Sequence, residues 1–222
     1  MIGLGLVHTA CALIMLIFAI GIYNQKPDVR KYESSLARMP VILQSALPAF
    51  LIIILAGNLG LVSGHLAFPA WMMDAFGLII HEGGHFFTSW AGELIHAFGG
   101  TLFEVGVPAG LTVWFLRRNC KRLGALSLSW MSVALFNVAK YSGDAQKLEL
   151  DLLGSPRTIE EKMIGHDWYN ILSMLGLLDA TPVISGLFWS VALVAGLSAI
   201  ALATWVIYDD HRADAVFDQK LS

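Results

Sequence analysis

Long apolar runs separated by short polar connectors set the pattern of this chain. The runs cover residues 2–23, 43–63, 68–90, 94–116, 123–138 and 182–208, with a shorter apolar piece at 168–178. Most of them reach or approach the roughly 20 residues that carry a helix across a bilayer. No water reaches the hydrocarbon core to satisfy backbone groups, so such runs are expected to be helices. They are too long and too continuously apolar for the alternating strands of an outer-membrane barrel. The pattern predicts an all-α, polytopic membrane helix bundle, a single integral membrane domain over residues 1–222 with no internal repeat.

The connectors divide by charge. Residues 24–38 are basic, with Lys26, Arg30, Lys31 and Arg38, and a second basic cluster holds Arg117, Arg118, Lys121 and Arg122. Cytoplasmic loops are rich in Lys and Arg, which places both on the cytoplasmic side and requires an even number of crossings between them. Three apolar regions lie there. The 94–108 piece is interrupted by Gly99, Gly100, Gly106 and Pro108 and is expected to be a re-entrant hairpin. Five helices then cross, or six if every region spans. The Arg117–Arg122 cluster is expected to sit at anionic headgroups. The longest polar stretch, 140–167, reads as a loop or short-helix insertion, with 146–153 partly helical from the spacing of Leu148, Leu152 and Leu153. A charged tail occupies 209–222.

Composition agrees with this picture. The chain is 56% hydrophobic and 14% charged, where a soluble domain carries about 25% charged residues. Mean hydropathy is +0.66. A net charge of -3 gives no pull toward nucleic acid. The two cysteines, Cys11 and Cys120, make neither a disulfide framework nor a thiolate metal site. The start of the chain lacks a positively charged leader, so the first run reads as a retained helix. The expected location is a multi-pass position in a bacterial inner (cytoplasmic) membrane, with lipids as the first partners.

One polar motif interrupts this apolar chain. Residues 81–85 read His81-Glu82-Gly83-Gly84-His85, inside the 68–90 run. On a helix His81 and His85 lie one turn apart on the same face. Two imidazoles so placed can grip one zinc ion, with Glu82 beside them as general base. Ionisable groups at such a depth are costly, which marks them as functional. Gly83 and Gly84 each cost about 1 kcal/mol of helix propensity, and small residues of this kind let another helix approach closely. A hydrolytic zinc needs a third protein ligand. The chain offers Asp144, His166, Asp167, Glu104, His96 and Asp179.

This motif resembles that of intramembrane metalloproteases of the site-2 protease type. Those proteins carry His-Glu-x-x-His in one membrane helix and take an aspartate ligand from a later segment, which reads Phe-Asn, a proline-containing stretch and Leu-Asp-Gly. Here the later segment is Phe136-Asn137 followed by Gly143-Asp144-Ala145, without the prolines. The resemblance implies that His81, His85 and Asp144 bind Zn2+. It also implies that Glu82 takes a proton from water and passes it to the leaving amine of a membrane-protein or peptide substrate.

Other polar residues remain open. His166 and Glu104 are further site candidates. Asp167 reads as the N-cap of the helix that begins at Trp168, and His166 as either a site member or a surface residue. Asp74 lies two turns before His81 on the same face and can line the same cavity. His8 and His65 read as lone histidines, hydrogen-bonded to carbonyls or holding a haem or chlorin. Two functions stand side by side: a zinc-dependent intramembrane endopeptidase, or a non-catalytic subunit of a larger membrane complex whose histidines hold a structural metal, haem or pigment. A metal transporter is a third.

Overall fold

A computed structural model of the chain describes residues 7–16, 29–153 and 158–221. Parts of the first apolar run and residues 24–28 of the basic connector lie outside them. Among the described residues the fold is all-α, with no strand. The helices are α1 (Val7–Leu16), α2 (Val29–Ala37), α3 (Val41–Gln44), α4 (Ala46–Asn58), α5 (Phe68–Thr88), α6 (Glu93–Arg117), α7 (Lys121–Gly143), α8 (Ile159–Gly165), α9 (Asp167–Met174) and α10 (Thr181–Leu221). Four stretches are long and apolar enough to cross a bilayer: Val41–Asn58, Glu93–Arg117, Lys121–Gly143 and Leu178–Arg212. This is the architecture of a multi-pass membrane protein. Apolar side chains at Val183, Leu187, Val191 and Val194 of α10 are exposed, and they recur on one face at helical spacing, as lipid contact requires.

Two expectations need correction. The 94–108 piece does not turn back, because α6 runs unbroken through it with Pro108 inside the helix. A proline normally breaks a helix by removing an N–H and crowding the preceding turn. Here the Pro108 carbonyl accepts hydrogen bonds from the Thr112 and Ser127 hydroxyls at 2.8 and 2.9 Å. The second correction concerns 146–153, which is not helical. Asp144 accepts the backbone N–H groups of Glu149 and Leu150, both at 3.0 Å, and Leu148 takes a positive φ of 54°. A side chain that captures backbone donors in this way competes with the helix ladder and ends it.

The chain divides into two compact units. One comprises Met1–Lys26, Met72–Val107 and Ala134–Ala192. Its core is Ala97, Val138, Ala145, Trp168, Ile171 and Leu172, flanked by Tyr141, Ile184 and Phe188. The other comprises Pro27–Trp71, Pro108–Val133 and Leu193–Ser222. It buries Leu51, Ile54 and Leu55 of α4 with Val133, Ala203 and Val206. In this second unit Arg122 is buried rather than presented to headgroups. Its backbone N–H donates to Glu33 at 2.8 Å, and its guanidinium reaches Gln44 at 2.8 Å, Glu33 at 3.6 Å and Asp210.

Candidate metal centre

All five residues of the His-Glu-Gly-Gly-His motif are buried on α5. As helical spacing dictates, the two imidazoles point the same way, and their ring centroids are 4.9 Å apart. Both Nε2 atoms converge on one oxygen, Oδ2 of Asp167, at 3.1 Å from His81 and 3.2 Å from His85. Ligating atoms of the three residues all lie within 4.8 Å of one another. Ligands held about 2.0–2.1 Å from a tetrahedral zinc sit roughly 3.3 Å apart, so the spacing suits one small cation.

The opposite face of each ring is already engaged. His81 Nδ1 lies 2.9 Å from Glu104 Oε2, and His85 Nδ1 lies 2.8 Å from the His96 carbonyl. A carbonyl can only accept, so His85 carries its proton on Nδ1. Its neutral form then aims the Nε2 lone pair at a carboxylate oxygen, and His81 has the same tautomer where its Nδ1 donates to Glu104. Lone pairs facing a carboxylate at this distance repel unless protons or a metal cation intervene. Outward Nδ1–H bonds of this kind are the usual support of metal-binding histidines. His96 returns the favour, its Nδ1 meeting the His85 carbonyl at 3.0 Å, which ties the end of α5 to the start of α6.

Glycines make the close approach possible. A Cβ on Gly100 of α6 would collide with Nε2 of both His81 and His85. A Cβ on Gly84 would strike the Gly99 carbonyl, and Gly77 leaves room for the Glu104 carboxylate at 3.4 Å. Positions 77, 81, 84 and 85 form one face of α5, and positions 96, 99, 100 and 104 supply the matching side of α6. Small residues here bring two backbones together around the imidazoles. Gly99 and Gly100 of the 94–108 piece therefore serve packing at the site, Gly106 meets nothing within 4 Å, and none of them marks a chain reversal.

Asp167 reaches the cluster because its neighbours are fixed. The Trp168 indole is 3% exposed, and its N–H donates to Thr101 of α6 at 3.2 Å. Trp168 also packs edge-on against Phe188, 5.3 Å between centroids. The Asp167 backbone N–H donates to the Tyr141 hydroxyl at 3.0 Å, and that hydroxyl lies 3.4 Å from Asp167 Oδ2. Burial acts to raise the Asp167 carboxyl, but hydrogen bonding to His81 and His85, and then their charge, hold it well below the usual carboxylate range.

The residues anticipated from sequence are distributed as follows. His81 and His85 come together with Asp167, and Glu104 stands behind His81. Asp144 is not among them; its carboxylate organises the 144–150 turn and faces His166 Nε2 at 3.4 Å. His166 caps α9, its Nδ1 accepting the Tyr169 N–H at 3.2 Å, so the cap expected of Asp167 belongs to its neighbour. His166 is fully buried rather than at the surface. Burial pushes it below the usual imidazole range, more than Asp144 beside it lifts it. Asp74 is hydrogen-bonded to Asn137. Asp179 and His65 are exposed.

Two members had no signal in the chain that set them apart. Tyr141 sits between Phe136-Asn137 and Gly143-Asp144-Ala145 without a role there. His8 lies in α1, and its Nε2 is 2.8 Å from Glu82 Oε2. Among the described residues, the ion-pair partners of Glu82, Glu104 and Asp167 are all imidazoles. Three carboxylates and a set of imidazoles, without a lysine or arginine pairing with them, form a donor set suited to a divalent cation. No family model, curated protein or solved structure matches this chain, so the assignment rests on the geometry of the site itself.

Proposed function

We propose that this chain is a zinc-dependent intramembrane endopeptidase acting on a peptide bond in or near a membrane segment. The observation that carries the reading is the convergence of two Nε2 atoms on one Asp167 oxygen while both Nδ1 atoms are held elsewhere. His81, His85 and Asp167 would hold the ion, a ligand set in which Asp167 replaces the Asp144 that the family resemblance implies. When bound, zinc polarises a carbonyl and makes water a nucleophile near neutral pH. Glu104 and the His96 carbonyl fix the two imidazole planes. Tyr141 holds Asp167 by its backbone N–H. Glu82, next to the ligands and buried, is the group that takes a proton from water and returns it to the leaving amine.

The substrate class follows from the surroundings. The motif is buried on α5, and the chain carries other helices long and apolar enough to cross a bilayer, so a membrane-embedded peptide is the substrate class this reading favours. That peptide must be extended locally, because a helix keeps its carbonyls engaged with its own N–H groups. A bacterial inner membrane fits a helical rather than a barrel architecture.

Metal analysis of the detergent-purified chain, combined with cleavage of a single-span reporter, tests this reading. Wild type is expected to carry about one zinc per chain, His81→Ala none, and Glu82→Gln a full complement with cleavage abolished. Zinc bound without hydrolysis in wild type would assign the chain to the non-catalytic role in a larger complex. A haem or pigment absorbance would remove the zinc assignment altogether.

A further inference from the structure

We infer that His8, on α1, is the positioning residue for Glu82. This inference rests on the proposed hydrolytic site and extends it to a helix outside the motif. The His8 Nε2 lies 2.8 Å from Glu82 Oε2, and the two side chains are 15% and 9% exposed. A buried carboxylate needs a donor, and among the described residues His8 is the ion-pair partner it has. The His8 ring in turn rests on the ring of His85, 5.2 Å between centroids at 34°, and stands edge-on to His96 at 6.2 Å. Its position is set by the same rings that form the metal centre.

The sequence accommodates this through Gly83. A Cβ there would run into Met15 Sδ and would stand 3.7 Å from the Ala12 Cα. His8, Ala12 and Met15 are spaced i, i+4 and i+7, one face of α1. The two variable positions of the motif thus face different helices: Gly84 lies against the backbone of α6, and Gly83 lies against α1, where a side chain would displace Met15, on the face that also carries His8. With Oε2 held by the imidazole, the carboxylate plane is fixed and proton exchange with the reacting water falls to Oε1. His8 touches neither the cation nor substrate in this scheme and acts through Glu82.

The test compares His8→Ala and His8→Gln in the full chain. Supporting partners of a metal site change activity by about 10- to 100-fold when lost. His8→Ala is expected to lower kcat by that range with KM and zinc stoichiometry unchanged. His8→Gln, which keeps a donor of similar reach, should recover part of the loss, as should millimolar imidazole added to His8→Ala. Loss of zinc in His8→Ala would make His8 a ligand and overturn the proposal. So would equal defects in the two variants with no imidazole rescue. A readout independent of hydrolysis separates this from failure of the protease reading. In the chain with 15N-labelled histidine, Glu82→Gln should shift the His8 Nε2 resonance. An unmoved resonance overturns the pairing whether or not the wild type cleaves anything.

Discussion

Two buried ionic clusters, one in each compact unit, differ in what completes them. In one, the Arg122 guanidinium meets Glu33, Asp210 and Gln44. A guanidinium is permanently charged and carries five donors, so it brings a fixed positive charge to the carboxylates around it. In the other, the ion-pair partners of Glu82, Glu104 and Asp167 are, among the described residues, all imidazoles, and two of those rings have Nδ1 engaged away from Asp167. That cluster reaches a neutral, non-repulsive state by taking up protons or a cation. Burial and charge density alone therefore do not mark a functional site. The distinguishing feature is whether a permanently charged side chain faces the carboxylates.

The sharpest way to break this contrast is to remove the function of each cluster separately. Glu82→Gln should lower cleavage by about 10²–10⁴-fold, the range expected for loss of a general base, with zinc content by metal analysis unchanged and thermal stability near wild type. Arg122→Ala should do the reverse. Removing one partner of a buried pair costs about 3–5 kcal/mol, so the melting temperature falls while the folded fraction keeps its zinc. If Arg122→Ala empties the metal centre while the chain stays folded, the two clusters are not independent and the contrast fails.

Smaller effects sharpen the account. Glu104→Gln should weaken zinc affinity by about 10- to 100-fold in a chelator competition, because the His81 ring loses its charged partner. Gly100→Ala should weaken it as well, since its Cβ collides with both Nε2 atoms, whereas Gly106→Ala on the same helix meets nothing within 4 Å and should leave affinity unchanged. Least affected is Asp144→Asn. Zinc stoichiometry should stay at the wild-type value, with a loss of about 1–3 kcal/mol from the two backbone bonds its carboxylate accepts. Hydrogen exchange at Glu149 and Leu150 reads that loss. A zinc-free Asp144→Asn chain would restore Asp144 as the ligand and displace Asp167.

The apolar runs were sufficient to foresee an all-α membrane bundle, because hydrocarbon leaves a backbone almost no alternative. The convergence of His81 and His85 was also legible, since four residues on a helix make one turn whatever surrounds it. Glycine and proline misled in the 94–108 piece. Their local preference is for a break, yet α6 runs through all of them, with Gly99 and Gly100 packed closely against α5. Asp144 drew attention through its spacing from Phe-Asn, but its carboxylate is engaged by backbone donors a few residues on.

By itself the sequence determined what short-range geometry determines: that the long apolar runs make an all-α membrane bundle, and that two imidazoles and a carboxylate share one turn of α5. Tertiary structure alone decided which distant groups meet that turn. Asp167 stands 86 residues from His81 in the chain, and no periodicity connects them. It arrives because the Trp168 indole is fixed on Thr101 and the Tyr141 hydroxyl holds its backbone. His8 arrives because α1 packs against α5, with Ala12 and Met15 over Gly83. Contacts of this range depend on how helices pack, and packing is a property of surfaces that no single segment carries alone.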